Sequence, residues 1–381
     1  MKDDGHVIIW GAGRIGRGAL AEIFNRVGYR ISFVVSRKSL AGLLTERGHY
    51  DIFNYGINGE RYKVRIDDYD VIHIDDDFRL KKEIARAEII AVCVFPKAVA
   101  SIAEKISELT VSGRKKPLNI FLCVNDINAR ENFSASLSKK LLTCTGLIET
   151  VIMRTVIDPA DEIKKIDPLS LSSNGYREIL FDKDAFKGTV PELEGLTGVS
   201  NIQALVKRKI YTNNMVDTLL AYIGHYRGHG YIADALKDPD IGVLAQKALD
   251  EAGRALCMEY GFLPEEMKAW NDMVLKYISH PLVRDTCKRV GADPVRKLSR
   301  DERLTGAALL CMRHDIEPVN IINGIAHGML FDVKEDDGSQ TIRRFISGSG
   351  TVSAIEHFCD IKKNSKLSEL IAKSIDTIKN R

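Results

Sequence analysis

Short apolar runs alternate with amphipathic stretches through the first half of the chain. His6-Val7-Ile8-Ile9-Trp10 reads as a short buried strand, and Gly11-Ala12-Gly13-Arg14-Ile15-Gly16 follows at once. A helix then carries Ile15, Ala19, Ile23 and Val27 at near-four spacing. Gly28 closes it, where a residue tolerant of the left-handed conformation suits a helix end. Arg30 to Ser36 is a second β-rich run, while Ile89 to Val94 and Asn119 to Val124 are almost continuously apolar. Unbroken apolar strands are expected in a parallel sheet covered on both faces. The alternation predicts an α/β fold with a doubly wound sheet.

From about Val199 the texture changes and helical periodicity takes over. It runs through Asn201 to Leu236, Ile241 to Tyr260, Pro264 to Ile278, Arg303 to Arg313, Pro318 to Leu330 and Leu367 to Ile378. The stretch Gly188-Thr-Val-Pro-Glu-Leu-Glu-Gly195 separates the two textures, which predicts a first domain over 1–195 and a mostly α-helical C-terminal domain over 196–381. The charged piece Lys334-Glu-Asp-Asp-Gly338 reads as a surface loop, and Asp75-Asp76-Asp77 as a helix cap rather than a magnesium site. His225 and His229 have metal-ligand spacing on a helix but no third ligand, so no metal is expected.

Composition narrows the class. A chain of 381 residues with 45% hydrophobic and 28% charged residues is an ordinary soluble protein of two domains. A net charge of +3 demands no nucleic acid, and the basic run Arg114-Lys115-Lys116 is short enough to be a solvated loop. No apolar run reaches the length of a membrane span or of a signal-peptide core. The seven cysteines are scattered and never spaced as C-x2-C, which points to core thiols in a reducing, cytoplasmic compartment. The composition leaves the oligomeric state open.

The glycine pattern carries more. G-x-G-x-x-G gains meaning when it follows a strand and opens a helix, as it does here. Gly11 permits a tight turn, Gly13 lets backbone approach a pyrophosphate, and Gly16 allows the helix to pack close to the strand. With Arg14 and Ile15 they form a coenzyme loop at a helix N-terminus, where free N–H groups favour phosphate. A Rossmann-like N-terminal domain binding a nicotinamide dinucleotide is the consequence. The second strand closes on Phe33-Val34-Val35-Ser36-Arg37-Lys38, with no carboxylate to hold a ribose 2′-hydroxyl. A hydroxyl and two cations at Ser36, Arg37 and Lys38 suit a 2′-phosphate, so NADP(H) is favoured, with NAD(H) as the alternative. Arg37 and Lys38 could also simply decorate the start of the next helix.

In the second half, Lys209-Ile-Tyr-Thr-Asn-Asn214-Met-Val-Asp217 spaces a lysine, an asparagine and an aspartate as K-x4-N-x2-D. Together with the opening Gly11 to Gly18 loop, Cys123-Val124-Asn125, Phe181 to Gly188 and Val290 to Ser299, this stretch resembles the polyol-specific long-chain dehydrogenases, mannitol-1-phosphate 5-dehydrogenases included. The resemblance covers nearly the whole chain. It implies metal-free hydride transfer between a nicotinamide coenzyme and a polyol or polyol phosphate, in the cleft between a Rossmann domain and a helical domain.

The chain departs from the family at three places. Its K-x4-N-x2-H ends in Asp217 rather than histidine. Its V-D-R-I-x-P is matched by Ile152-Met153-Arg154-Thr155-Val156-Ile157, and its R-F-x-N-P by Lys276-Tyr277-Ile278-Ser279-His280-Pro281. The usual family preference for NAD is also at odds with the bare strand end.

On that resemblance Lys209 is the acid/base, able to act as a base if burial draws its pKa toward ~7–8. Asn214 and Asn125 supply amide donors to the oxygen on which charge develops. Asp217 accepts substrate hydroxyls, raises the lysine pKa and repels a substrate phosphate. Arg154, His280, Arg296 and Lys297 are candidate substrate contacts, the last two for phosphate. Taken singly, Lys209 could be a surface cation, Asn214 a helix N-cap and Asp217 a first-turn acid. Two other readings stay open: reduction of a hexuronate, and a non-catalytic dinucleotide-binding or redox-sensing protein.

Overall fold

Strands β1 (His6–Trp10) and β6 (Ile89–Val92) lie side by side and parallel, and the first half of the chain is built outward from them. The computed structural model describes residues 5–56, 58–110, 114, 116–126, 128–280 and 285–380; Lys115 of the basic run and Pro281 lie outside them. The chain divides into two units, Met1–Val206 and Lys207–Arg381.

In the first unit the remaining strands are β2 (Arg30–Val35), β3 (Tyr50–Tyr55), β4 (Arg61–Ile66), β5 (Tyr69–His73), β7 (Leu118–Leu122), β8 (Thr145–Ile152), β9 (Val156–Ile157), β10 (Leu171–Ser173), β11 (Ile179–Asp182) and β12 (Leu196–Val199). The main sheet has the order β12-β11-β8-β7-β6-β1-β2-β5. From β8 to β5 every neighbour is parallel, and β11 joins β8 antiparallel. Numbered along the chain, the parallel block reads 3-2-1-4-5-6, the order of a dinucleotide-binding doubly wound sheet. Its crevice belongs where β1 meets β6, because the chain winds away in opposite directions from that point.

Strand alternation explains the burial. Val7, Ile9, Ile31, Phe33, Ile89, Ala91 and Phe121 fill one side of the sheet. Ile8, Trp10, Val34, Ile90, Val92, Ile120 and Leu122 fill the other. Both sides are covered, so the strands read as solid apolar runs rather than as alternating ones. The Ile89 and Asn119 runs leave the sheet at Val92 and Leu122, earlier than their apolar extent suggests, because Cys93 and Cys123 begin the turns that leave the sheet. A smaller sheet, β4-β3-β10-β9, takes β3 and β4 from the chain between β2 and β5 and takes β9 and β10 from the chain between β8 and β11; it was not read from the sequence.

The second unit is helical. The long pattern expected over Asn201 to Leu236 is realised as an α-helix Ile202–Lys209, a π-helical turn Ile210–Asn214, an α-helix Met215–Tyr226 and, after a break, Ile232–Lys237. Gly228, with φ +83°, turns the chain at that break. Helices Pro239–Tyr260, Pro264–Ile278, Thr305–Arg313, Val319–Met329 and Lys366–Lys379 match the periodic stretches. Asp337–Ser349 and Thr351–Cys359 are additional helices. The charged piece at 334–338 is therefore only partly loop: Asp336 caps the first of these helices by accepting from Ser339 N. No helix among the described residues is long and apolar enough to cross a membrane.

Candidate functional site

The coenzyme loop leaves β1 at the point where the sheet order reverses. Gly11 has φ +108°, and a Cβ there would stand 2.3 Å from the carbonyl oxygen of Cys93, the residue that follows β6. Only glycine fits. A Cβ on Gly16 would meet the Gly11 carbonyl oxygen at 2.2 Å and Ile9 at 3.0 Å, so the helix sits directly on the strand end. Around Gly13 the picture is the opposite: a Cβ would find nothing within 4 Å, which leaves its backbone open to a ligand. The loop thus has the three properties a pyrophosphate cradle needs.

Its flanking side chains are less free than the sequence suggested. Arg14 pairs with Asp158 at 2.6 Å, and Asp158 also holds Lys164 at 3.1 Å. Burial works against that carboxyl, yet the two cations keep it below its ordinary range. Ile15 packs with Ala19, Val156 and Leu171, so what it offers a phosphate is its main chain. At the end of β2, Ser36, Arg37 and Lys38 are all exposed, and Arg37 occupies the cap position of helix Lys38–Arg47. The His73 ring lies 3.1 Å from the Ser36 carbonyl oxygen and 3.4 Å from Asp75. Asn125 follows β7 on an exposed bend.

In the second unit the decisive element is the π-helical turn Ile210–Asn214, which runs without interruption into the next helix. A π-turn stacks residue i on i+5, as an α-turn stacks i on i+4. The Lys209 and Asn214 positions are therefore aligned along one face, which an α-helix would not do for that spacing. Asn214 keeps helical angles (φ −69°, ψ −30°) and its side chain caps nothing, so the N-cap reading fails. The first-turn reading of Asp217 fails for the same reason: no free helix end lies ahead of it.

Asp217 is the electrostatic centre of this region. It accepts from Asn213 Nδ2 at 3.3 Å. Burial pushes its carboxyl up to about 6, against the pull of Arg303, Arg289, Lys209 and Lys297. Lys297 is buried (8% exposed) and donates from Nζ to the Val290 carbonyl at 2.5 Å. Burial, reinforced by Arg303 and Arg296, lowers its ammonium to about 7. Arg296 is held by Asp293 at 2.7 Å and Glu302 at 3.0 Å, so its charge is already balanced. Arg303 was missed in the sequence. Its Nε donates to Glu302 at 2.9 Å, and its two Nη groups meet no acceptor among the described residues. The Glu302-Arg303 pair directly after the Lys297 segment was the available signal.

One expectation is corrected, and the two histidines of helical spacing are placed. Arg154 has a side chain only 1% exposed and is bound to Glu22, to Ser173 at 3.0 Å and to Asn54, so it is a core residue and no substrate ligand. His225 and His229 do not converge: the first contacts the Asp332 carbonyl at 3.0 Å, the second Asp238 at 3.3 Å. No group of three His, Cys, Asp or Glu suited to a metal occurs among the described residues. His280 is half-buried just past helix Pro264–Ile278, and the chain beyond it lies outside the described residues. Asp76, as expected, caps the helix after it by accepting from Arg79 N at 3.1 Å.

Nearly the whole chain is matched in two pieces: residues 5–195 by the mannitol dehydrogenase Rossmann domain and residues 201–379 by the mannitol dehydrogenase C-terminal domain. The chain belongs to the mannitol dehydrogenase family. As a member it is an oxidoreductase of the polyol class, with a nicotinamide coenzyme. It is 30% identical to mannitol-1-phosphate 5-dehydrogenase of Thermoanaerobacter pseudethanolicus, over 97% of each chain. To the Bacillus licheniformis enzyme of the same name it is 28% identical, over 95% of this chain and 97% of that one. Among solved structures, mannitol 2-dehydrogenase of Pseudomonas fluorescens, a ternary complex with NAD and D-mannitol, superposes with a TM-score of 0.76. That match has 12% identity and covers 99% of this chain and 92% of the other. A substrate-free D-sorbitol dehydrogenase gives the same TM-score at 15% identity, covering 100% and 93%.

Proposed function

We propose that this member of the mannitol dehydrogenase family interconverts a polyol phosphate and its ketose phosphate with NADP(H). The observation that carries the reading is the π-turn that aligns Lys209 with Asn214 at the family spacing. When bound, the coenzyme supplies the hydride acceptor for alcohol oxidation. The Gly11–Gly16 loop would hold its pyrophosphate, Gly13 leaving the backbone open to it. Lys209 Nζ takes the proton of the substrate hydroxyl, and in the reverse direction its ammonium returns that proton to the alkoxide. Asn214 donates an amide N–H to the same oxygen, steadying its charge without adding a competing proton, and the family resemblance gives Asn125 the same kind of role. Asp217 accepts a substrate hydroxyl in place of the family histidine, which could also donate.

Arg303 and Lys297 are the proposed phosphate partners. Arg303 has uncommitted donors and a permanent charge, and Lys297 regains its proton when a dianion arrives. Arg296, already shared by two carboxylates, is set behind them. The thiols of all seven cysteines are free, which suits a cytoplasmic enzyme.

The coenzyme has a second reading. Asp75 stands beside His73, whose ring touches Ser36, so a carboxylate does approach the end of β2 from the neighbouring strand. That arrangement favours NAD(H). A turnover screen with NADPH and NADH against polyol phosphates, free polyols and hexuronates tests the whole reading. Polyol phosphates are expected to give the highest kcat/KM. A preference for hexuronates, or no turnover with any of the three classes, would replace it.

A further inference from the structure

Lys207 and Tyr211 lie one turn apart across the junction of helix Ile202–Lys209 with the π-turn, and Lys207 Nζ donates to Tyr211 Oη at 3.1 Å. The ammonium also stands 5.1 Å from the centre of the Tyr211 ring. Tyr211 Oη in turn donates to the Asp301 carbonyl at 3.3 Å. This approach depends on Gly306, where a Cβ would stand 2.6 Å from Tyr211 Oη and 2.9 Å from the Asp301 carbonyl oxygen. Beside these groups lies a cavity of about 140 Å3, lined by Lys207, Tyr211, Tyr260, Arg300, Asp301 and Arg313 among others.

Three cations face one carboxylate in that lining. Arg313 pairs with Glu259 at 2.6 Å, and Arg300 Nη1 reaches the Asp360 carbonyl and stands 3.9 Å from the Asp360 carboxylate, while both carboxylates lie outside the lining. Lys207 is half-buried, and burial lowers its ammonium pKa despite nearby Asp301 and Glu302. A partly desolvated cation of this kind gains from an anion beside it. The size limits the class of guest, since pockets for cofactors and drug-sized ligands run from about 300 Å3 upward. A single tetrahedral oxyanion fits where a nucleotide does not.

We propose that this cavity is an oxyanion site for inorganic phosphate or a compact phosphomonoester, distinct from the Lys209–Asn214–Asp217 region. Lys207, Arg300 and Arg313 supply the charge, and the Tyr260 hydroxyl supplies a neutral donor. Lys207 and Lys209 are two positions apart, about 200° around an α-helix, so the two sites are back to back on one element.

The experiment is calorimetric titration of the full-length protein with inorganic phosphate and with methyl phosphate, on wild type, Lys207→Met, Arg300→Gln and Lys297→Met. Wild type and Lys297→Met are expected to bind phosphate alike. Lys207→Met and Arg300→Gln are expected to bind it at least ~10-fold more weakly, the loss of one charge-assisted hydrogen bond, with basal turnover retained. Methyl phosphate binding as well as inorganic phosphate would identify a phosphomonoester guest, and inorganic phosphate alone the free ion. Phosphate binding that survives in both cavity variants and is lost in Lys297→Met would place the anion at the substrate phosphate position and overturn the proposal. Absence of phosphate binding to wild type at millimolar concentration would overturn it equally, without touching the polyol reading.

Discussion

Asn213 donates to Asp217 across 3.3 Å, so the carboxylate that replaces the family histidine has a neutral donor beside it and keeps its charge. That charge is conditional, because burial brings the carboxyl to about 6. Above that pH the anion opposes a substrate phosphate; below it, the repulsion fades. Asp217→Asn removes the charge while keeping the shape. The ratio of KM for a polyol phosphate, wild type over variant, is therefore expected to be flat below pH 5 and to rise through pH 6. The phosphate's step from monoanion to dianion, about pH 6, steepens the same rise, because the repulsion grows with its charge. A ratio independent of pH would mean that the carboxylate does not face the phosphate.

Lys209 is expected to matter to turnover alone. Lys209→Met should lower kcat by ~10²–10⁴, the usual range for a positioned acid/base. Coenzyme affinity, read by fluorescence titration, should stay within about twofold, since the glycine loop that would hold the coenzyme lies elsewhere in the chain. Near-normal kcat would remove Lys209 from the role.

Lys297 gives a readout independent of rate. Its ammonium titrates at about 7 in the free protein, so at pH 8 it is mostly neutral. A bound dianion favours the charged form, and the lysine must then take up a proton. Calorimetry of polyol phosphate binding at pH 8, in buffers of different ionisation enthalpy, should show uptake approaching ~1 proton, lost in Lys297→Met. The linkage also fixes a stability trend. A lysine whose pKa falls on folding disfavours the native state at low pH, and that cost disappears as pH rises through 7 toward 10.5.

The coenzyme question turns on Arg37. NADPH is expected to bind more tightly than NADH, and Arg37→Ala should shrink the difference by about 1–3 kcal/mol, as for a charged hydrogen bond lost to phosphate. A native preference for NADH would instead make Asp75, beside His73 at 3.4 Å, the group that reads the ribose.

The sequence exposes this molecule unevenly, for physical reasons. Strands β1, β2, β6 and β7 are legible because both faces of the sheet are buried, which makes Ile8 and Ile9 equally apolar. The β3–β4 hairpin is not, because Arg61, Lys63 and Arg65 point outward from a half-covered sheet and look like loop charge. Gly11 and Gly16 were readable, since each does one thing that only a glycine does. The π-turn at Ile210–Asn214 leaves no mark in a periodicity of 3.6, so Asn214 looked like the start of a helix. Arg303 and Asn213 escaped because their importance lies in which groups the fold brings near Asp217. Arg154 misled for the converse reason: an arginine in a short segment carries no sign that its partners Glu22 and Asn54 come from far away in the chain.

Arg154 supplies the last prediction, because two roles for it make opposite demands. Its guanidinium is bound to Glu22, and both side chains are only 1% exposed. Glu22 is also held by Arg26 at 2.8 Å and by Asn54 at 3.0 Å, while Arg154 reaches Ser173 on β10. The group therefore fastens the helix behind the coenzyme loop to the smaller sheet. Removing one partner of a buried pair costs about 3–5 kcal/mol, since the other charge stays behind. Arg26 and Asn54 still hold Glu22, so Arg154→Met should fall at the low end, about 3 kcal/mol in denaturant unfolding. The double variant Arg154→Met, Glu22→Gln should recover part of that loss by removing the stranded carboxylate. In the folded protein, KM for the polyol phosphate should stay within about twofold, because the side chain has no route to solvent. A variant of unchanged stability whose KM rises tenfold would return Arg154 to the substrate.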